Sequence, residues 1–233
     1  MPPPQLFVFR RRTVARSPKH LIVPVILIVV LAILVQYQIL TIAFEKLGLS
    51  AQAAYLLLIV TLAGSIFNIP LFTINSNFSG DSNWSKEMLA WAQRRRYLFP
   101  CKTLILVNVG GCVVPVAFSV YLFLSNDVPI IQSVTCVTAV SIVAFAVSRP
   151  VRGLGIGMPI LFAPLTAAGV AYALAQENAA PLAYIGGTLG VLIGADLLRL
   201  RDVRKLGSPV ASIGGAGSFD GIFISGLLAV LLA

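Results

Sequence analysis

The chain has 233 residues, 58% of them hydrophobic and 11% charged, where a soluble domain carries roughly 25% charged residues; an ordinary soluble globule is excluded. Seventeen Lys and Arg against eight Asp and Glu leave a net charge of +9. A basic balance by itself points to nucleic acid, but a mean hydropathy of +0.94 leaves no polar surface for that partner. The lipid bilayer is what these charges answer to.

A spanning helix needs about 20 apolar residues, and seven runs, uncharged except for Asp220 in the last, approach or exceed that length. A basic tail, residues 1–19, precedes a span over about 21–44, whose apolar stretch is too long for a cleaved signal peptide and predicts a retained anchor. A second span over about 50–74 ends where Thr73-Ile-Asn-Ser-Asn-Phe-Ser-Gly80 turns polar. In the long connection that follows, Trp84, Met88 and Trp91 recur at helical spacing beside Arg94, Arg95 and Arg96, predicting an amphipathic interfacial helix over about 84–98. Further spans are expected over about 103–125, 129–148, 154–175, 180–198 and 212–232. The predicted class is all-α: one integral membrane domain of seven transmembrane helices.

Lys and Arg stay on the cytoplasmic side during insertion. With seven spans, sixteen of the seventeen basic residues fall on one side and only Lys46 on the other, together with Glu45, Asp127 and Glu177. This predicts a cytoplasmic N-terminus, an outside C-terminus and residence in the cell inner (plasma) membrane.

Most catalytic chemistries lack their residues. The single His20 beside Lys19 reads as interfacial, no His cluster predicts a metal, and Cys101, Cys112 and Cys136 have no paired spacing and read as packing residues. No cofactor is expected. Gly153-Leu-Gly-Ile-Gly157 lacks the third glycine and the strand context of a dinucleotide loop. Two acids remain inside apolar runs, Asp196 and Asp220. An ionised carboxylate at mid-bilayer costs about 2.5 to 3.5 kcal/mol on insertion scales, so each needs a task or a partner.

Asp196 lies one turn before the basic turn at Arg199, roughly 5 Å deep, and Asp220 lies up to about 15 Å deep if the last helix is regular from its start. Ile213-Gly-Gly-Ala-Gly-Ser218 is a poor helix opener, and an irregular start there brings the carboxylates closer. Two carboxyls sharing a site retain one proton between them, so one is a base and the other a hydrogen-bond donor. That is aspartyl-protease chemistry, with the glycines at 214, 215, 217 and 221 letting a substrate backbone approach. Gly186, Gly190 and Gly194 form a ridge of small residues suited to close helix packing. At 100° per residue, however, Asp196 points nearly opposite Gly194, so periodicity alone does not bring the acids together.

Two resemblances follow from these strings. Tyr184-Ile-Gly-Gly-Thr-Leu-Gly-Val-Leu-Ile-Gly-Ala-Asp-Leu-Leu198, Ile213-Gly-Gly-Ala-Gly-Ser-Phe-Asp-Gly-Ile-Phe223, Asn108-Val-Gly-Gly-Cys-Val-Val-Pro115 and Asn68-Ile-Pro70 resemble an uncharacterised family of prokaryotic multipass membrane proteins, the domain of unknown function numbered 1614. More distantly, the last 50 residues or so resemble the GxGD intramembrane aspartyl proteases, the group of presenilin and signal peptide peptidase. That resemblance implies Asp196 and Asp220 as the catalytic pair and a transmembrane peptide as substrate. Here Ser218 and Phe219 separate Gly215-Ala-Gly217 from Asp220, and the later Pro-Ala-Leu element of presenilin has no equivalent. Two other classes stay open: a proton- or cation-coupled transporter or channel, with Asn68 and Asn108 as polar groups beside Pro and Gly breaks, and a non-catalytic scaffold or assembly protein.

Overall fold

A computed structural model describes residues 38–76, 102–151, 155–206, 208–215 and 221–233. The chain divides into a unit ending at Ile39 and a second unit from Leu40 to Ala233, which holds everything described below except Gln38 and Ile39. The interfacial helix expected over 84–98, most of the first span and residues 216–220 lie outside the described residues.

The structure is mostly helical, and it also contains two small sheets, which corrects the all-α expectation. Helix α1 (Gln38–Lys46) meets α2 (Ala51–Gly64) at a bend of 107°. Ser50 starts α2 by accepting a hydrogen bond from the Ala53 N–H on its hydroxyl oxygen. The helix ends at Gly64, ten residues earlier than expected, and the chain continues as strand β1 (Asn68–Asn75). The third predicted span likewise opens as a strand, β2 (Lys102–Asn108), passes through a π-helical turn (Val109–Val113) and only then becomes helix α3 (Val114–Ser125). The last predicted span opens as β5 (Val210–Ile213) and becomes the final helix, α8, at Gly221–Leu232.

These three strands form one sheet in the order β1-β2-β5, antiparallel between β1 and β2 and parallel between β2 and β5. Asn68 pairs with Asn108 and Leu104 with Val210; the register of β1 slips between Pro70 and Phe72, where proline has no N–H for the ladder. All three segments are therefore part strand and part helix. Where the helices stop, the sheet pairs all of β2 and one side each of β1 and β5.

The middle of the chain follows the expectation more closely. Helix α4 spans Ile130–Val147, a short hairpin of β3 (Arg149–Val151) and β4 (Gly155–Gly157) follows, and α5 runs over Phe162–Leu174. Helix α6 (Ala179–Val191) continues through a second π-helical turn (Leu192–Leu197) into the short α7 (Leu200–Leu206). The continuous stretch Ala179–Arg204 has 26 residues, about 39 Å at 1.5 Å per residue. It is the central pillar: α3, α4, α5 and α8 all pack against α6, and Leu182, Tyr184 and Ile185 are fully enclosed. The Tyr184 ring meets Phe118 edge-on at 4.9 Å.

The glycine ridge does what its spacing predicts. A Cβ on Gly186 would strike the Cys136 sulfur, one on Gly190 would come within 2.5 Å of Val140 Cβ, and one on Gly194 would strike the Ser141 carbonyl. All three targets lie on α4, so the ridge fixes the α4–α6 contact. The outward faces are apolar: Leu56, Ile59, Ile131, Ile142 and Leu165 are all well exposed. Among the described residues two helices, Ile130–Val147 and Ala179–Arg204, are long and apolar enough to cross a bilayer, and a third counts if the bent pair α1 and α2 is one span.

Candidate functional site

Asp196 sits in the second π-helical turn, where the Leu198 N–H donates to the Ile193 carbonyl at 2.9 Å across five residues. Such turns re-aim side chains and recur at functional sites. Gly194 faces α4, and Asp196, two residues on, points away from it as the periodicity predicts. What periodicity could not show is that β5 and its following loop lie on that other side. The Gly214 N–H donates to Asp196 Oδ2 at 2.7 Å.

Gly214 is buried and has φ +82°, and Gly215 follows at φ +97°. This left-handed backbone is glycine territory. A side chain is also sterically barred at Gly214, where a Cβ would lie 2.7 Å from Cys112 Cβ. The expectation that Ile213-Gly-Gly opens no regular helix is met at the described residues: the strand ends at Ile213, and Gly214 and Gly215 follow in a non-helical, left-handed conformation. Asp220 and Gly217 lie outside the described residues, and Gly221 is the first residue of α8. Asp196 is thus held to a backbone amide six residues before the second acid.

The two polar residues singled out in the apolar runs, Asn68 and Asn108, meet across the sheet. Asn108, fully buried, donates through Nδ2 to Asn68 Oδ1 at 3.2 Å and to the Ser65 carbonyl at 2.7 Å, and its Oδ1 accepts from the Gly111 N–H at 2.7 Å. It therefore ties the end of α2, the start of β1 and the π-helical turn that follows β2. Ser212 on β5 donates to Asn68 Oδ1 at 3.0 Å, so the network ends two residues before Gly214. Thr103 Oγ1 donates to the Ser208 carbonyl, and the Leu104 N–H donates to the Pro209 carbonyl at 3.0 Å, which docks the start of β5. Gly110 completes the junction: a Cβ there would strike the Thr61 carbonyl and lie 2.9 Å from Gly64 C. Asn68, Asn108 and the start of the Ile213–Phe223 string thus meet where strands become helices, and the Tyr184–Leu198 string reaches them through Asp196.

Sequence reasoning missed Ser212, and it weighed Arg199 only as a partner for Asp196, whereas the arginine pairs with Asp202. A lone Ser in an apolar strand has no distinguishing spacing, whereas Arg199 had a signal: it is the first basic residue after Asp196 on the same helix. Its Nη2 donates to the carbonyls of Phe145 at 2.6 Å and Ser148 at 2.8 Å, its Nε to Ser148 Oγ at 3.2 Å and its Nη1 to Asp202 at 2.9 Å. The guanidinium also stacks 4.2 Å over the Phe145 ring. Lys46, the one basic residue that the charge count sets apart from the other sixteen, has a local partner: Nζ donates to the carbonyls of Val230 and Leu231 at 3.4 Å, at the C-terminal end of α8. Among the described residues no three His, Cys, Asp or Glu side chains group as a metal site.

Residues 62–232 match the family described as Protein of unknown function (DUF1614), and the chain belongs to that family. No curated protein and no solved structure matches it.

Proposed function

With that family membership as the premise, we propose that the protein is a multipass inner-membrane protein that cleaves a transmembrane peptide substrate, using Asp196 and Asp220 as an intramembrane aspartyl pair. The observation that carries this reading is the hydrogen bond from the Gly214 N–H to Asp196. It anchors the first acid to a backbone amide six residues before the second in sequence, which helix periodicity did not provide. The glycine backbone at 214 and 215 and the edge position of β5 in the sheet support an extended substrate segment coming close to Asp196, since an edge strand offers unpaired backbone groups.

The chemistry is hydrolysis. The ionised carboxylate takes a proton from water as its oxygen attacks the amide carbonyl, while the protonated carboxyl donates to the carbonyl oxygen. Collapse of the tetrahedral intermediate breaks the C–N bond, and the leaving nitrogen takes a proton back from a carboxyl.

Seven passages with a cytoplasmic N-terminus belong to the same proposal. Support comes from the mixed strand and helix segments, whose strands add length to helices of 12 to 14 residues in α2, α3 and α8 that alone are too short to cross a bilayer. Further support is that Arg199 and Lys46 cap opposite ends of the bundle. A transporter reading draws on the same broken segments. It is weakened because Asn68 and Asn108 spend their polar groups on each other, Ser65, Gly111 and Ser212. The test is reconstitution of wild type, Asp196→Asn and Asp220→Asn with single-span peptides. Cleavage by wild type and by neither variant is expected; cleavage that survives either substitution excludes the aspartyl mechanism.

A further inference from the structure

The inward commitment of Arg199 has two effects on the surface around it. Its bonds to Ser148 bring the next residue, Arg149 at the head of β3, to the start of α7, two residues before Arg201. Its ion pair at 2.9 Å also neutralises Asp202, the acid of α7. Arg201 and Arg204, three apart on one face of α7 and opposite the buried Val203, are exposed, as is Arg149. Among the described residues none of these three arginines faces a carboxylate within ion-pair distance.

The β3–β4 hairpin packs on α7. Its register pairs Arg149 with Gly157, which lies three and four residues before exposed Ile160 and Leu161, while Val151 is exposed two residues along β3. Uncompensated cations therefore adjoin an open apolar surface at one end of the helical bundle.

From this arrangement we infer that the β3–β4 hairpin and α7 form a headgroup site for an anionic phospholipid. Arg149, Arg201 and Arg204 take the phosphate, and Val151, Ile160 and Leu161 take the upper acyl chain. A guanidinium fork suits phosphate oxygens, and a basic residue at a membrane surface strengthens binding to anionic lipid about fivefold. The inference rests on embedding in a membrane and is independent of the aspartyl chemistry, because its readout is lipid retention.

The experiment is native mass spectrometry of the full chain in detergent, titrated with phosphatidylglycerol, phosphatidylcholine or inorganic phosphate. Wild type should retain phosphatidylglycerol at least tenfold better than phosphatidylcholine. The Arg149→Gln, Arg201→Gln, Arg204→Gln triple variant should lose that preference, by up to about a hundredfold if the three act independently. A control with the same change in net charge, Arg10→Gln, Arg11→Gln, Arg12→Gln, should keep it, and the melting temperature of each variant reports whether it is folded. The inference is overturned if a folded triple variant keeps the preference, if the control loses it equally, or if inorganic phosphate displaces the lipid, since the site then recognises a free anion.

Discussion

Arg199→Lys separates the geometry of the clamp from its charge. Lysine preserves the positive charge at the helix end, so orientation in the membrane is unaffected, but a single ammonium cannot span the positions that the guanidinium fork reaches at once. In the structure Arg199 makes three hydrogen bonds to uncharged acceptors, Phe145 O, Ser148 O and Ser148 Oγ, and its side chain is 18% exposed. Hydrogen bonds to charged groups contribute about 1.5 to 3 kcal/mol each. The acceptors lie at the end of α4, where water can replace part of what is lost, so the lower value applies. Losing two of the three gives about 3 kcal/mol, a fall in Tm of about 6 to 12 °C for a body of this size. Thermal unfolding in detergent, followed by the loss of far-ultraviolet helicity, measures it. Glu177→Gln, a change at an exposed loop residue, should stay within about 0.5 kcal/mol. If Arg199→Lys melts with wild type, the clamp does not hold α4 to the end of the central helix.

Two further predictions concern the junction of strands and helices. Gly110→Ala should destabilise by about 1 to 3 kcal/mol or more, because its Cβ meets backbone atoms of α2 that cannot step aside; equal melting temperatures in detergent would refute that contact. Asn108→Ala orphans the buried Gly111 N–H and removes the tie to Ser65 and Asn68, at a cost of about 1 to 3 kcal/mol. Amide exchange at Gly111 should accelerate in step with the lost stability, and unchanged protection would contradict the role assigned to the side chain.

Asp196 was legible as a residue of interest because a charge inside an apolar run is conspicuous. The ridge of Gly186, Gly190 and Gly194 was legible because helix packing depends on period alone, and it meets α4 at Cys136, Val140 and Ser141. The strands were not legible. Asn68-Ile-Pro-Leu-Phe-Thr-Ile-Asn75 and Lys102-Thr-Leu-Ile-Leu-Val-Asn108 are short apolar runs that composition cannot tell from the end of a membrane helix. Two signals were present: the Leu47 to Gly80 run exceeds one span, and Asn-Ile-Pro at 68–70 interrupts it. The direction of Asp196 was correctly read from the helix angle. Its partner was invisible, because the position of Gly214 depends on a parallel pairing of β2 with β5, segments more than a hundred residues apart.

The central claim of the proposal is that Asp196 and Asp220 act as a pair. The most direct measurement replaces both acids by cysteine in a chain whose native Cys101, Cys112 and Cys136 are changed to Ser, and treats membranes with a bifunctional thiol reagent that spans about 5 Å. Efficient intramolecular cross-linking of Asp196→Cys to Asp220→Cys is expected, with none between Asp220→Cys and a cysteine placed at exposed Ile131. Absence of the Asp196–Asp220 cross-link, with spin labels at the two positions reporting a separation well beyond about 10 Å, contradicts the account, since two carboxyls that far apart cannot act on one peptide bond.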